Sequence, residues 1–348
     1  MQHPRIIASG IALIMAAAVL AGCAAGSEEG VDAGSRTPDG SFPLVVEHAY
    51  GETVIETKPE RVATVGWSNQ EVPIALGIVP VGMPAVRWGD DDDDGILPWV
   101  EERLEALGGA APVLFDETEG LDFEAIADTA PDVILASNSG ISQEEYDLLS
   151  KIAPVVAYPE APWSISYQDM IRVNAAAIGL PVEGDALIDE LQDVVDTALA
   201  AHPGLADASV LFASVEPSDL SRIGYYVLPD SRPGFLADLG LPVPSIVSRA
   251  PVEATLDDTY ATISSELADR FADVDLFVLY DDADGSLAQI LQADPLLAKV
   301  PAIAAGRIAV LENSTPLAVA AQPSPLSIGW SIDEYLALLA EPLDRAVQ

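Results

Sequence analysis

The pattern of apolar and polar positions is clearest at residues 183–202, near the middle of the chain. Apolar side chains recur there at the spacing of one helix face: Leu187, Ile188, Leu191, Val194, Val195, Ala198 and Leu199. Aspartates occupy the opposite face, and Pro203-Gly204 ends the helix. A helix of this length spans about 30 Å, the width of a small domain. It is either a rigid connection between two lobes or an ordinary helix inside one larger α/β domain.

Short β-type runs alternate with helical runs on both sides of this helix. Strands are predicted at 61–65, 78–82, 133–136, 155–158, 209–215, 225–228, 274–279 and 308–311, with a hairpin at 42–57. Helices are predicted at 70–76, 99–107, 123–128, 143–152, 161–178, 234–239, 264–269, 287–299 and 325–340. This alternation is typical of mainly parallel, helix-covered sheets. We therefore predict an α/β fold with an N-terminal lobe at 43–160, a helical linker at 161–204 and a C-terminal lobe at 205–348.

The first residues have the pattern of an export signal rather than of a fold. Arg5 precedes an apolar stretch at 6–20, which is short for a membrane-spanning helix. Leu20-Ala21-Gly22-Cys23 resembles the lipobox of bacterial lipoproteins, which implies a signal peptide at 1–22 and a lipid anchor on Cys23. A plain secretory peptide beside a free cysteine is the alternative. Residues 23–42 are rich in glycine, serine and acids and are predicted to form a flexible tether.

Charge narrows the classes of partner. The chain has 15 basic and 56 acidic side chains, a formal net charge of −41. Such a chain repels phosphate backbones, which excludes nucleic acid as a partner and is compatible with neutral or cationic ligands. A single cysteine excludes a disulfide framework and a cysteine-based metal site. The five aspartates at 90–94 are expected to form a solvated loop.

The two halves share one local pattern. In the first half, Glu124 lies in the first turn of a predicted helix that precedes the strand at 133–136. In the second half, Glu266 holds the same place before the strand at 274–279. First-turn glutamates can simply complement the helix dipole. The repeated spacing also fits two duplicated lobes.

Several stretches together resemble the iron–siderophore substrate-binding lipoproteins that serve ABC transporters. These stretches are 58–67, 76–82, 124–136 and 139–158, within a resemblance that spans about 42–345. The resemblance implies two α/β lobes joined by one long helix, as in class III periplasmic binding proteins, and no enzymatic activity. It also implies that Glu124 and Glu266 dock on arginines of the permease dimer. The protein would then be a monomer, lipid-anchored on the extracytoplasmic face of the cell membrane.

A ferric siderophore arrives with its iron already coordinated, so the protein needs no cofactor and no direct metal ligand. It needs aromatic faces and a few hydrogen-bond donors in a cleft between the lobes. Candidates lie near predicted strand ends and helix starts: Trp67, Arg87, Trp88, Ser139, Trp163, Arg222, Tyr225, Tyr226 and Tyr280. Ordinary packing is the alternative for the aromatic residues, and surface ion pairing is the alternative for the two arginines.

The scarcity of basic side chains favours a neutral or cationic complex of hydroxamate type over a strongly anionic triscatecholate. Cobalamin or haem on the same fold is the nearest alternative, because fold does not determine the ligand. A surface adhesin without a small ligand is a further alternative. A hydrolase is disfavoured because the chain lacks a Gly-x-Ser-x-Gly elbow. Zinc transport is disfavoured because His48 and His202 lie far apart in sequence.

Overall fold

A computed structural model describes residues 40–228, 230–248, 259–282 and 286–345 of the chain. The described residues all lie within one compact unit, Ser35–Gln348. The predicted signal peptide, Cys23 and residues 23–39 of the predicted tether lie outside the described residues. No helix among the described residues is long and apolar enough to cross a membrane.

The N-terminal lobe begins with a hairpin and continues as alternating strands and helices. Its strands are β1 (Leu44–His48), β2 (Gly51–Ile55), β3 (Val62–Thr64), β4 (Gly82–Pro84), β5 (Val113–Phe115), β6 (Val133–Ala136) and β7 (Val155–Ala157). Its helices are α1 (Glu71–Ala75), α2 (Pro98–Leu107), α3 (Phe123–Asp128) and α4 (Gln143–Leu149).

Five of these strands form one parallel sheet in the order β5-β4-β3-β6-β7. Strands β3, β6 and β7 are buried along their whole length, as expected for a sheet covered on both faces. The strand predicted at 78–82 is displaced, because β4 starts where that prediction ends. Strand β5 was not predicted, since three residues beside a glycine-rich loop give too short a pattern.

The C-terminal lobe repeats the alternation with longer strands. Its strands are β8 (Val210–Glu216), β9 (Asp219–Tyr226), β10 (Tyr260–Ser264), β11 (Leu276–Asp281) and β12 (Ile308–Glu312). Its α-helices are α7 (Ser231–Asp238), α8 (Ser245–Ser248), α9 (Leu287–Ala293), α10 (Pro301–Ala304), α11 (Pro316–Ala320) and α12 (Ser327–Arg345), and two 3₁₀ helices lie at Ser265–Phe271 and Leu297–Lys299.

This second sheet has the order β10-β9-β8-β11-β12 and is mixed rather than mainly parallel. β8, β11 and β12 are parallel, whereas β9 pairs antiparallel with both β8 and β10. The predicted strand at 225–228 was therefore wrong in its bounds, because β9 starts at Asp219 directly after a tight turn. Arg222, which lay before the predicted strand, therefore belongs to the same strand as Tyr225. The polar residues of its first half hide the strand pattern.

The long helix predicted at 183–202 is α6 (Pro181–Ala200), a helix of 20 residues preceded by α5 (Tyr167–Ala177). Pro181 starts it, since proline fits the first helical position. Its buried face packs in one core cluster with α5, α12 and the C-terminal sheet. At Gly184 a Cβ atom would lie 2.5 Å from the Cβ of Ala175, so glycine allows α5 and α6 to cross closely. The two-lobe α/β architecture with one long helix is confirmed.

A second connection between the lobes comes from the end of the chain. Val319 and Ala320 of α11 belong to a core cluster that is otherwise formed mainly by α1, α2 and neighbouring residues of the N-terminal lobe. Glu71 of α1, wholly buried, accepts hydrogen bonds from Trp99 Nε1 (3.0 Å), Ser324 Oγ (2.5 Å) and Leu326 N (3.0 Å). This carboxylate fixes residues 321–326 to the N-terminal lobe.

Candidate functional site

A cavity of about 480 Å³ lies between the two lobes. This volume is within the usual range of small-molecule sites. Its lining residues are Trp67, Asn138, Trp163, Ser214, Tyr226, Asp230, Ser231, Arg232, Thr259, Tyr260 and Gln322. Trp67 and Asn138 follow the carboxyl ends of β3 and β6, which is where open α/β sheets bind ligands. Gln322 comes from the segment fixed by Glu71.

Trp163 forms an exposed aromatic face on the N-terminal side of the cavity. Its side chain is 44% exposed, although tryptophan is usually well buried. Its backbone has φ +59°, a left-handed conformation that non-glycine residues rarely adopt and that costs about 1–3 kcal/mol. The Trp163 amide donates to the Ser139 carbonyl (3.2 Å), and the indole lies so close to Gly140 that a Cβ there would be 2.5 Å from Nε1. The fold therefore holds this ring in place at a conformational cost.

A buried asparagine fixes the two loops that carry Trp67 and Asn138. The Asn69 Nδ2 donates to the carbonyls of Val65 (2.8 Å) and Asn138 (2.9 Å). Its Oδ1 accepts from Ser137 Oγ (2.9 Å), the Asn138 amide (3.1 Å) and Asn174 Nδ2 (3.1 Å). Because Asn174 belongs to α5, this network ties the cavity wall to the helices between the lobes. Because the side-chain amide of Asn69 is buried and bonded at both its nitrogen and its oxygen, it rigidifies the backbone around it.

The C-terminal side of the cavity contains a buried ion pair. Arg232 and Asp230 are only 8% and 7% exposed, and the guanidinium donates from Nε to Oδ1 (2.8 Å) and from Nη2 to Oδ2 (2.7 Å). The Tyr226 ring lies over the guanidinium, with Cζ 3.4 Å from the ring centroid. Burial tends to lower the pKa of Arg232, but the hydrogen bonds and charge of Asp230 outweigh it and raise that pKa. Arg232 is therefore a permanently charged donor beside the cavity.

An aromatic contact chain continues from the cavity wall across the lobes. Trp67 contacts Trp88 (6.2 Å between ring centroids), and Trp88 contacts Tyr280 edge-on (5.7 Å). Tyr280 in turn contacts Phe212 (6.2 Å), and Trp88 Nε1 donates to Asn313 Oδ1 (3.1 Å). Burial raises the pKa of Tyr280 to about 12, so its hydroxyl stays protonated at physiological pH. Trp88 and Tyr280 therefore support the cavity wall from behind Trp67.

The comparisons with known proteins agree with this geometry. A family model described as "Periplasmic binding protein" matches residues 62–315. This chain belongs to the periplasmic binding protein family. PiaA of Streptococcus pneumoniae TIGR4, solved in complex with ferrichrome, is 43% identical with a TM-score of 0.81, covering 86% of this chain and 99% of PiaA.

Two further structures extend the comparison. A periplasmic solute binding protein of Mycobacterium smegmatis is 26% identical with a TM-score of 0.67, covering 86% of this chain and 98% of its own. SirA of Staphylococcus aureus, solved with staphyloferrin B, has a TM-score of 0.62 over 86% of this chain and 98% of its own. At 19% identity, SirA supports the shared fold alone. A comparison with curated proteins gives no match. The fold class of the periplasmic binding protein family agrees with the resemblance seen in the sequence.

Three of the nine ligand candidates named from the sequence line the cavity: Trp67, Trp163 and Tyr226. Ser139 does not line it, because its Oγ donates to the Ala136 carbonyl (2.7 Å) and its own carbonyl holds Trp163. Trp88 and Tyr280 are in the supporting aromatic chain described above.

The remaining three candidates lie away from the cavity lining. The side chain of Tyr225 is 2% exposed and packs against Phe271 in the core, because successive residues of β9 face opposite sides of the sheet. Arg222 is exposed four residues before Tyr226, about 13 Å along the strand, and its Nη2 donates to Thr262 Oγ1 (2.6 Å). Arg87 is exposed and forms an ion pair with Asp116 (3.4 Å).

Both glutamates of the repeated pattern are exposed in a first helical turn. Glu124 lies in α3, where the Asp122 side chain accepts from the Ala125 amide (3.0 Å). Glu266 lies in the 3₁₀ helix Ser265–Phe271, where Ser264 Oγ accepts from the Glu266 amide (3.3 Å). In this periplasmic binding protein, both carboxylates are therefore accessible to a partner.

A second group of carboxylates could hold a divalent cation. The carboxylates of Asp90, Asp92 and Asp94 lie within 4.8 Å of one another. With Asp90 as the first position, Gly95 is the sixth and Glu101 the twelfth, which is the residue pattern of calcium-binding EF-hand loops. Gly95 has φ +88°, and the nearby Asp94 carboxylate raises the pKa of Glu101.

The residues that the sequence interpretation missed are mostly those held by tertiary contacts: Asn69, Glu71, Asp230, Arg232 and Gln322. Only Asp230-Ser231-Arg232-Pro233 gives a local signal. Aspartate is a preferred N-cap and proline fits the first turn of a helix. The two arginines named from the sequence, Arg87 and Arg222, are not the arginine that lines the cavity. The first turn of α7 instead places Arg232 in the cavity wall.

Proposed function

We propose that this periplasmic binding protein captures a ferric siderophore of hydroxamate type outside the cytoplasm and delivers it to an ABC permease. The observation that carries the proposal is the cavity between the lobes, with aromatic faces on one side and an ion-paired arginine on the other. Its relative PiaA, 43% identical over nearly its whole length, was solved with ferrichrome. A siderophore brings its own iron ligands, so a wall of rings and donors is sufficient for recognition.

The chemistry of the wall suits a hydroxamate complex. Trp67, Trp163 and Tyr226 offer apolar faces for the organic shell of a chelate. Arginine has five N–H donors, of which Asp230 receives two from Arg232. The remaining donors face the hydroxyls of Tyr226 and Tyr280 and would also serve hydroxamate oxygens. The formal net charge of −41 disfavours a strongly anionic chelate as it approaches within about a Debye length of the surface.

A fluorescence titration of the soluble chain, starting after Cys23, tests this proposal. The probes are ferrichrome, a ferric triscatecholate, haem and cobalamin, with the iron-free chelators as controls. We expect saturable quenching by ferrichrome, and loss of most of that response in Trp163→Ala. Trp330→Phe is the matched control, because Trp330 is 38% exposed on α12 and stacks on Trp99 outside the cavity lining. If haem or cobalamin saturates the protein and ferrichrome does not, the ligand named in this proposal is wrong and haem or cobalamin takes its place.

A lipid anchor would keep the protein beside the permease. We propose that Cys23 carries a lipid anchor, that 23–42 is the tether, and that lobes at 43–160 and 205–348 are joined by the linker at 161–204. One monomer of this protein would then dock on the permease dimer, with Glu124 and Glu266 contacting basic side chains of the permease. Their exposure in first helical turns supports this role, since both carboxylates are accessible to a partner.

Charge reversal separates docking from ligand binding. Glu124→Lys and Glu266→Lys are expected to abolish stimulation of the transporter ATPase in reconstituted vesicles while ferrichrome affinity stays unchanged. Glu144→Lys is the matched control, because Glu144 is also an exposed glutamate in a first helical turn, that of α4. Equal loss in all three variants would show a general charge effect and would refute specific docking.

A further inference from the structure

The charges of the cavity wall are balanced. Among the described residues that line the cavity, Asp230 and Arg232 are the two with charged side chains, and their formal charges cancel. Both belong to one short segment at the start of α7, and both are nearly as buried as the hydrophobic core. The described part of the wall therefore has a formal charge of zero.

The Asp230 carboxylate is held by several donors at once. Its Oδ1 accepts from the Arg232 amide (2.9 Å) and from Nε, while Oδ2 accepts from Nη2. As the N-cap residue of α7 it also has a structural task. Asparagine performs that capping task equally well, so a helix cap alone does not require a carboxylate. Unlike a neutral N-cap side chain, the carboxylate of Asp230 also cancels the guanidinium charge beside the ligand.

We propose that Asp230 determines the charge class of the ligand by neutralising Arg232, so that the cavity selects neutral ferric chelates over anionic ones. This inference rests on the proposed function and assigns its selectivity to one residue. Arg232 then acts as a hydrogen-bond donor with little net attraction for anions. In a partly desolvated cavity, one uncompensated unit charge changes the binding of a trianionic complex far more than that of a neutral one.

Three variants change the formal charge of the wall in steps. Asp230→Asn leaves a wall of +1, Arg232→Gln leaves −1, and the double variant returns it to zero without the ion pair. The two ligands are ferrichrome, which is neutral, and a ferric triscatecholate, which is trianionic. The quantity measured is the ratio of their dissociation constants by fluorescence titration, with the salt concentration fixed. Asp189→Asn is the matched control, since Asp189 is an exposed aspartate on α6 and its change alters the net charge of the chain equally.

We expect Asp230→Asn to shift this ratio toward the triscatecholate by about tenfold or more, and Arg232→Gln to shift it the other way. The double variant and Asp189→Asn should keep the wild-type ratio. An unchanged ratio across the charge series, with ferrichrome still bound, overturns the inference and leaves the proposed function intact. If the wild type binds neither chelate, the proposed function fails and the inference fails with it. If Asp230→Asn does not fold, Arg232→Gln still has to shift the ratio away from the triscatecholate relative to the wild type.

Discussion

The contact between Gly140 and Trp163 yields a sharp test of the cavity wall. An added Cβ at Gly140 would lie 2.5, 2.7 and 2.8 Å from the Nε1, Cε2 and Cζ2 atoms of the indole, whereas ordinary contacts begin near 3.4 Å. In Gly140→Ala the ring must therefore retreat by about 1 Å. The backbone of Gly140 is outside the left-handed region, so alanine itself is tolerated there.

Displacing the ring should weaken ligand binding more than it weakens the fold. An aromatic contact contributes about 0.5–1.5 kcal/mol beyond its buried area, so we expect the dissociation constant for ferrichrome to rise about 2- to 12-fold. The free energy of unfolding should change by about 1 kcal/mol or less, because Trp163 is already 44% exposed.

The assay combines a fluorescence titration with urea unfolding of the same samples. Gly329→Ala is the matched control: Gly329 lies inside α12, and nothing is within 4 Å of its added Cβ. This control should be stabilised by about 0.5–1 kcal/mol and bind ferrichrome normally. Wild-type affinity in a folded Gly140→Ala protein would refute Trp163 as a wall of the ligand site.

Three other predictions concern buried or clustered carboxylates. Burial raises the pKa of Glu117 to about 7 from 4.5, so the native state binds one more proton than the unfolded state between these pH values. The free energy of unfolding should therefore fall as the pH rises from 4.5 to 7. In urea unfolding, Glu117→Gln should remove up to about 3 kcal/mol of that fall, and a pH profile identical to that of the wild type would contradict this. Glu71→Ala leaves the Trp99, Ser324 and Leu326 donors without their acceptor. This change should lower the free energy of unfolding by about 3–5 kcal/mol. A loss below about 1 kcal/mol would argue against a connection between the lobes through Glu71. Because the carboxylates of Asp90, Asp92 and Asp94 converge, Ca²⁺ should raise the melting temperature more than NaCl of equal ionic strength does. This additional rise should be smaller in Glu101→Gln. Equal effects of the two salts on the wild type would indicate a merely solvated loop.

Features of the fold that depend on local periodicity were predictable from the sequence. The helix α6 was displaced by two residues at each end, because the apolar stripe defines a face better than it defines a terminus. The first sheet was predicted as parallel because its buried runs alternate with helices. β10 was missed and β9 was misplaced, since antiparallel strands that carry polar residues lack a continuous apolar run.

The site was less predictable because its key contacts are distant in sequence. Trp67 and Trp163 could be named from their positions at breaks in the pattern, and Tyr226 from the same reasoning. Its neighbour Tyr225 could not be separated from it, because an error in the bounds of β9 removes the alternation that assigns each side chain to a face. The hydrogen bonds of Glu71 reach more than 250 positions along the chain, and no local pattern encodes such a contact.

The central claim is that one ferric hydroxamate binds between the lobes against Trp67, Trp163 and the Asp230–Arg232 pair. Isothermal titration of the soluble chain with ferrichrome tests it most directly, because it measures stoichiometry as well as affinity. The account predicts one site per chain, no heat with the iron-free chelator, and loss of binding in the Trp67→Ala, Trp163→Ala double variant. Binding that survives in the folded double variant, or an absence of binding in the wild type, would contradict it.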